Sequence, residues 1–215
     1  MNYYSFKRGD YMPKTKIQCD EIRKKMRKKI LDSALIYFAR SGYSGTKISD
    51  LAHFIGIGQG TLYSYFSSKE ELFKVILGNT VISNEENMLK LQNAPVSASK
   101  KITILSNQML EAIKMDTPVA YMFVLNMQYS MENDFNNPFT KAYEERPNQI
   151  LAEIIVEGQK EKTVVQGNPN DLADLYWSMV HMIALKKVFN NKHETFQTKW
   201  LTRLLLSDVA VINGV

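Results

Sequence analysis

Apolar residues recur every three or four positions along most of this 215-residue chain, which is the spacing of amphipathic α-helices. A first helix is predicted over residues 20–40, with Asp20 as its N-cap and Gly42 as its stop. No segment of the sequence shows the sustained alternation of apolar and polar residues that a half-buried strand requires. The chain is therefore predicted to be all-α.

Two short helices follow the first one, with a glycine between them. Helix 2 is predicted over residues 47–55 with Thr46 as its N-cap, and helix 3 over residues 59–66. Gly56 falls between the two, where a backbone with positive φ is accessible at low cost only to glycine. This order of elements predicts a helix-turn-helix, whose second helix enters the major groove of DNA.

A fourth helix is predicted to start after Ser67 or Ser68 and to run past residue 85, so that it joins the helix-turn-helix to the rest of the chain. Ser68, with Glu71 three residues later, has the spacing of a capping box. Further helices are separated by segments that contain proline, glycine or asparagine, and they are expected near residues 98–114, 117–131, 138–161, 170–189 and 195–211.

Basic residues are concentrated in the first part of the chain. Residues 1–80 contain 14 Lys and Arg against 7 Asp and Glu, whereas residues 81–215 contain 13 against 15. A basic segment attached to a near-neutral remainder is typical of a nucleic-acid-binding domain joined to a second domain. A solvated charged face is the alternative interpretation, and the coinciding helix-turn-helix favours DNA binding.

Several function classes find no support in the sequence. The single cysteine, Cys19, cannot form an internal disulfide, and neither an apolar run of 18 or more residues nor a signal peptide is recognised. A cytoplasmic protein without a membrane partner is therefore expected. The three histidines lie far apart in sequence and no catalytic motif is found, so no metal site, cofactor or catalytic residue is predicted.

The helix-turn-helix segment resembles a known family. The run from Gly60 to Phe73 reads GTLYSYFSSKEELF, and it is preceded by Thr46-x-Ile48-x-Asp50-Leu51-Ala52 and by Ala39-Arg40-x-Gly42-Tyr43. These residues resemble the signature of the TetR family of bacterial repressors over roughly residues 25–75, about a quarter of the chain. The resemblance implies an N-terminal three-helix DNA-binding domain, joined by a long helix to a C-terminal helical domain for ligand binding and dimerisation.

The resemblance also implies which residues meet DNA. The candidates lie around helices 2 and 3 and at the start of helix 4: Thr46, Lys47, Gln59, Gly60, Thr61, Tyr63, Tyr65 and Lys69. Gln59 can pair bidentately with adenine, and hydroxyl groups can reach phosphates, although either tyrosine could instead pack in the core. Lys69 places a cation against a helix dipole, which suggests a nearby anion. Many relatives carry other residues at Gly58 and Gln59, so their base preference cannot be transferred.

Six basic residues crowd the first half of helix 1: Arg23, Lys24, Lys25, Arg27, Lys28 and Lys29. They cover nearly every face of the helix, so some of them must point away from the core. We expect several to lie near the DNA backbone and to add sequence-independent affinity. A helix end that is merely solvated is the alternative.

The C-terminal part is rich in methionine and aromatic residues, which suit a malleable ligand cavity as well as a plain core. The resemblance favours a cavity for an apolar or amphipathic effector, and the ligand-binding candidates are Phe123, Met127, Tyr143, Tyr176 and Met179. By the same resemblance, the last two predicted helices would pair with their copies in a homodimer.

The predicted organisation is a flexible tail over residues 1–20, a helix-turn-helix domain over 21–68, and an effector-binding and dimerisation domain over 69–215. The predicted function is a ligand-responsive regulator, expected to be a repressor, that binds a pseudo-palindromic operator as a homodimer and is released by a small molecule. A helix-turn-helix module without an effector and a small-molecule-binding enzyme are the alternatives; the family resemblance favours a protein that is not an enzyme.

Overall fold

The computed structural model describes residues 15–115, 118–132, 138–190 and 196–208, without the side chains of residues 79–84, 132 and 138–144. The predicted all-α fold is confirmed. The helices of the described residues follow one another as α1 (Lys16–Ser41), α2 (Ile48–Ile55), α3 (Gln59–Tyr63), α4 (Lys69–Gln92), α5 (Ala98–Lys114), α6 (Pro118–Glu132), α7 (Pro138–Lys160), α8 (Pro169–Asn190) and α9 (Thr198–Thr202). Among the described residues, each helix is too short or too polar to cross a bilayer.

Helix α1 begins earlier than predicted. Thr15 is its N-cap: the Thr15 hydroxyl accepts a hydrogen bond from the amide of Gln18, and the Gln18 side chain accepts one from the amide of Thr15. This reciprocal capping box stabilises the first turn, so the predicted N-cap at Asp20 is wrong. Residues 16–20 are therefore helical, and residues 1–14 of the predicted tail lie outside the described residues. The helix ends at Ser41, and Gly42 follows with a φ of 75°.

Helices α1, α2 and α3 pack as a small three-helix unit. Gly56 ends α2 in the left-handed conformation predicted for it, with φ 76° and ψ 39°. Helix α3 is shorter than predicted, because the amides of Ser64 and Tyr65 donate to the carbonyl oxygens three residues earlier, those of Thr61 and Leu62, as in a 3-10 turn. Leu51, Leu62 and their neighbours on α1 form a core that excludes solvent.

The start of α4 is capped largely as predicted. The Ser68 hydroxyl accepts from the amide of Glu71 at 3.0 Å. The Glu71 carboxylate, however, accepts from the amide and the hydroxyl of Ser67, both at 2.6 Å, and these bonds lower the pKa of Glu71. The helix continues to Gln92, so it joins the two parts of the chain as expected: Leu72 is buried near its start and Met88 near its end.

The C-terminal part is a bundle built from α5 to α8 together with the second half of α4. The prediction of one continuous last helix over residues 195–211 is wrong, because residues 203–207 are not helical. Within the described residues 196–208, Thr198–Thr202 form a short helix that packs against α5, and residues 195 and 209–211 lie outside the described residues. The chain then turns so that Leu206 forms an isolated antiparallel bridge with Val164, in the loop between α7 and α8. The backbone of the loop between α7 and α8 hydrogen-bonds to that of residues 205 and 207, which follow α9: the amide of Val165 donates to Leu205, and the amide of Ser207 donates to Thr163. These bonds hold the chain after Thr202 in a non-helical conformation.

Candidate nucleic-acid interface and ligand cavity

Helix α3 presents a polar face to solvent. Gln59, Gly60, Thr61 and Tyr63 are exposed, whereas Leu62 is 1% exposed and anchors the helix in the core. A Cβ atom added at Gly60 would meet no other atom within 4 Å. Packing within the chain therefore does not require a glycine there. Four of the predicted DNA-binding residues thus lie together on one accessible surface.

The first half of α1 lies beside α3. The guanidinium carbon of Arg23 is 5.7 Å from the centroid of the Tyr65 ring, and that of Arg27 is 4.8 Å from the centroid of Phe66. Tyr65 is half-buried, so its ring serves as a packing surface for α1. These contacts bring the basic run of α1 next to the turn that follows α3, and its lysines at 24 and 25 are exposed.

Thr46 and Lys47, which are neighbours in sequence, have different environments. Lys47 is exposed and occupies the N-cap position of α2, which was predicted for Thr46. Thr46 is only 4% exposed, and its hydroxyl donates to the carbonyl oxygen of Gly42 at 2.6 Å. The buried Thr46 side chain therefore stabilises the loop between α1 and α2, and its contact with DNA stays a prediction that this burial does not favour.

Lys69 has partners other than a phosphate. Its ammonium group donates to the carbonyl oxygens of Tyr43 at 2.9 Å and Thr46 at 3.0 Å, and it lies 4.4 Å from the centroid of the Tyr43 ring. These two carbonyl dipoles and the aromatic face account for a cation at the start of α4 without an external anion. Lys69 thus fixes the loop between α1 and α2, and its contact with DNA stays a prediction that its position at a helix start no longer supports.

An aromatic cluster connects this small domain to α6. The Phe73 ring packs against Phe38, Tyr43 and Tyr129, with centroid distances of 5.5, 4.3 and 5.1 Å. Burial raises the pKa of the Tyr43 hydroxyl, and the carboxylate of Glu70 raises it further. Tyr129 belongs to α6, so the core of the DNA-binding part is continuous with that helix.

Two polar contacts reinforce this connection between α1 and α6. Arg40 donates to the hydroxyl of Tyr121 at 3.1 Å and lies 5.6 Å from the centroid of its ring. The Gln128 side chain donates to the carbonyl oxygen of Ala39 at 3.2 Å. Helix α6 packs along α1 more extensively than α4 does. The C-terminal end of α1 is thereby tied to a helix of the C-terminal bundle.

The bundle encloses a cavity of about 1130 Å³ that opens to solvent on one side. Helices α4 to α8 all contribute to its wall. Its apolar lining consists of Met88, Leu91, Ala94, Ile104, Leu105, Met109, Ala112, Val119, Phe123, Met127, Met131, Pro147, Trp177, Met182 and Leu185. Such a mostly apolar wall with a few polar groups is typical of small-molecule sites.

Of the five predicted ligand-binding residues, the four whose side chains are described lie in three different environments. Phe123 and Met127 line the cavity, and their contact with a ligand stays a prediction. Tyr176 does not: it is fully buried in the core, its hydroxyl lies 3.1 Å from that of Ser106, and burial raises its pKa. Met179 lies on the outer side of α8, 36% exposed, and Tyr143 has its side chain outside the described residues.

The sequence analysis missed the polar residues of the cavity, chiefly Asn148 on α7 and Asp174, Trp177 and His181 on α8. The last three recur at helical spacing, which predicts a shared face but not the direction in which that face points. The Asn148 amide nitrogen donates to the Asp174 carboxylate. The Asn148 oxygen Oδ1 and the Trp177 nitrogen Nε1 are buried without a hydrogen-bond partner among the described residues.

His181 stands edge-on to Phe123, with ring centroids 5.1 Å apart. Burial lowers the pKa of its imidazole, and a hydrogen bond to the backbone of Trp177 offsets part of that shift. The ring is therefore neutral at neutral pH and adds no positive charge to the cavity. No group of three or more His, Cys, Asp or Glu residues within the described ranges is arranged to hold a metal ion.

Residues 30–76, which contain α2, α3 and their packing partners, match the sequence model of "Bacterial regulatory proteins, tetR family". This segment of the chain is therefore similar to the DNA-binding domain of that family. A similar protein is the negative transcriptional regulator IcaR of the biofilm operon icaADBC in Staphylococcus epidermidis, 33% identical over 54 residues. That match covers 25% of this chain and 29% of IcaR, so the chain spans less than a third of that relative's length in the alignment.

Solved TetR-family structures share the whole architecture. A TetR-family transcriptional regulator from Agrobacterium tumefaciens has a TM-score of 0.68 at 16% identity, over 86% of this chain and 99% of that one. The regulator AibR, solved in complex with isovaleryl coenzyme A and operator DNA, has a TM-score of 0.65 at 14% identity, over 83% and 94% of the two chains. At such identities the likeness establishes the fold of the second domain and leaves its ligand open.

Proposed function

We propose that this protein is a ligand-responsive transcriptional repressor that binds a pseudo-palindromic operator as a homodimer. The observation that carries the proposal is the exposed polar face of α3, set in a domain that matches the TetR family. IcaR supports the sign of regulation, because it is a negative regulator. AibR supports a combination of operator and small-molecule binding in one chain of this fold.

On DNA, the proposal assigns base recognition to Gln59 and Thr61, because both are exposed on α3. Lys47 and Tyr63 are placed to contact phosphates, and Gly60 allows the backbone to come close. The basic run of α1 would add affinity that does not depend on base sequence, since it lies beside α3. Lys69 would act indirectly, by holding the loop that carries Lys47.

The homodimer requires an apolar surface that the chain leaves uncovered. On α8 such a surface is formed by Leu175, Met179 and Phe189, which lie on one side of the helix and are between 36% and 51% exposed. The short helix α9 is a poor partner for it, because Leu201 and Leu205 are buried within their own chain. We therefore place the dimer contact on α8, rather than on the last two predicted helices. Two copies of α3 about 34–36 Å apart would then fit successive major grooves.

The cavity is the proposed effector site. A cavity-free bundle would favour a module without an effector, so a volume of about 1130 Å³ counts against that alternative. Two helices that line the cavity also contact the DNA-binding part: α4, which begins at Lys69, and α6, which carries Tyr121 and Tyr129. Filling the cavity would displace α4, α6 or both, and this movement would change the distance between the α3 helices of the two protomers. Effector and operator would then weaken each other's binding.

The proposal is tested by selecting duplexes from a random library with the purified full-length protein. We expect enrichment of an inverted repeat whose half-site centres are about 10 base pairs apart or a multiple of that. Leu175→Glu, which places a charge in the proposed dimer contact, should abolish selection of the repeat, whereas Glu153→Gln on the exposed side of α7 should not. Enrichment of single half-sites by the wild type would contradict the dimeric function.

A further inference from the structure

The described lining of the cavity carries more negative than positive charge. The charged residues of its described lining are Asp174 on α8, Glu145 on α7 and Lys90 on α4. His181 is neutral, so the formal charge of this lining is −1 at neutral pH. Anionic head groups are repelled by such a lining, and cationic ones are attracted to it.

The orientation of the Asn148 amide indicates what a ligand must offer. The Asp174 carboxylate can only accept hydrogen bonds, so it fixes the Asn148 nitrogen Nδ2 on its own side. The other atom, the carbonyl oxygen Oδ1, is buried without a donor among the described residues. A buried acceptor without a donor is unfavourable, and a ligand that donates a hydrogen bond would remove that cost.

Aromatic rings complete this end of the cavity. Trp177 and Phe123 both line it, with ring centroids 6.3 Å apart. The face of a tryptophan ring attracts cations. The rest of the wall is apolar and methionine-rich, and the volume of about 1130 Å³ leaves room for an extended hydrocarbon body beside the head group.

We propose that the cavity binds an amphipathic primary or secondary amine, whose ammonium group donates to Asn148 and lies beside Asp174 and Glu145. The buried Trp177 Nε1–H offers a place for one acceptor atom on the same ligand. This assignment rests on the proposed function only in taking the cavity as the effector site. It concerns the chemistry of the ligand, so it can fail while operator binding stands.

The experiment compares four probes with the same ten-carbon chain: decylamine, decyltrimethylammonium, decanol and decanoate. The chain contains two tryptophans, Trp177 and Trp200, so the variant Trp200→Phe leaves Trp177 in the cavity as the reporter of binding by fluorescence. We expect decylamine to bind at least tenfold more tightly than decanol, and decanoate to bind most weakly. Decyltrimethylammonium should be weaker than decylamine, because it has the charge without an N–H donor.

Two matched variants locate the effect. Asp174→Asn, in the full-length Trp200→Phe protein, should weaken decylamine binding about tenfold, as expected for loss of a charged hydrogen-bond partner, and leave decanol within twofold. Asp171→Asn removes the same charge from the same helix one turn away, at an exposed position outside the cavity lining. It should leave the affinities for decylamine and for decanol unchanged. Asn148→Leu tests the acceptor directly and should reduce the preference for decylamine over decyltrimethylammonium.

Each outcome bears on the proposal. Decanoate binding as tightly as decylamine, no binding of decylamine, or equal effects of Asp174→Asn and Asp171→Asn would each overturn it. Operator affinity is measured separately on the same protein. If decylamine binds as described and operator affinity does not change, the ligand class stands and the proposed regulation fails.

Discussion

The two halves of this chain use the same element, the amphipathic helix, in opposite ways. In the small domain, Leu51, Leu62 and Phe66 are at most 2% exposed, and the polar residues proposed to contact DNA lie on the outer face of α3. In the bundle, the helices leave a cavity of about 1130 Å³, and the polar groups with unused hydrogen-bonding capacity lie inside. This contrast fits the proposed function, in which the first domain presents a rigid face to DNA and the second leaves part of its core open to a ligand.

The difference in packing gives the largest expected effect. Ala52 is 2% exposed in the filled core of the small domain, and Ala112 lines the cavity. We expect Ala52→Leu to lower the free energy of unfolding by about 3 kcal/mol, because extra methyl groups have no space there. Ala112→Leu should change it by less than about 0.5 kcal/mol. Urea unfolding followed by circular dichroism measures both, and equal losses would contradict the difference in packing.

The next prediction concerns the hydrogen bonds of Lys69, which fix the loop between α1 and α2 in the small domain. Lys69→Ala removes the donor to the carbonyl oxygens of Tyr43 and Thr46. We expect a loss of about 2 kcal/mol in the free energy of unfolding, since both acceptors are partly buried and the bonds are charge-assisted. Lys74→Ala, which removes an exposed pair with Glu70 on the same helix, is the control and should cost less than about 0.5 kcal/mol. Unchanged stability with weakened DNA binding would restore Lys69 as a phosphate contact.

A third prediction sharpens the assignment of the outer face of α3. Gln59→Ala should relax base preference at one position in each half-site, with a cost of about 1.5 kcal/mol for the preferred base. Ser64→Ala, at the end of the same helix, should leave the preference unchanged, because its hydroxyl donates to the carbonyl oxygen of Thr61. The readout is selection from a random duplex library. Identical motifs from Gln59→Ala and the wild type would remove Gln59 from base recognition.

The smallest expected effect lies at the contact between the halves. Tyr121→Phe keeps the ring beside Arg40 but removes the hydroxyl that accepts its hydrogen bond. We expect the coupling between cavity ligand and operator to fall by about 0.5–1 kcal/mol, with little change in either affinity alone. Tyr37→Phe, whose ring packs against Phe54 on α2, is the control. If the coupling between ligand and operator binding is the same in both variants, the Arg40–Tyr121 contact does not transmit it.

The sequence predicted the small domain well because its signals are local. Gly56 in the turn, Ser68 as a cap and the apolar spacing of α1 and α2 act within a few residues. The contacts of Thr46 and Lys69 depend instead on tertiary structure: Thr46 donates to Gly42 across a loop, and Lys69 binds carbonyls more than 20 residues earlier. Neither partner is visible in the pattern of the chain.

The bundle was predictable in its helices but not in its interior. Tyr176 and Trp177 are adjacent in sequence and chemically similar, yet one is fully buried in the core and the other lines the cavity. Successive residues of a helix point about 100° apart, so only the packing of α8 against its neighbours decides between them. The end of the chain was mispredicted for a related reason, since the bridge between Leu206 and Val164 joins segments far apart in sequence.

The coupling of the two halves is tested most directly by measuring operator affinity with the cavity empty and filled. The protein is Trp200→Phe, the operator is the repeat obtained by selection, and occupancy by decylamine or another amphiphile is followed through Trp177. We expect saturation of the cavity to weaken operator binding at least fivefold, and saturating operator to weaken ligand binding by the same factor. A filled cavity that leaves operator affinity unchanged would contradict a regulatory role for the bundle.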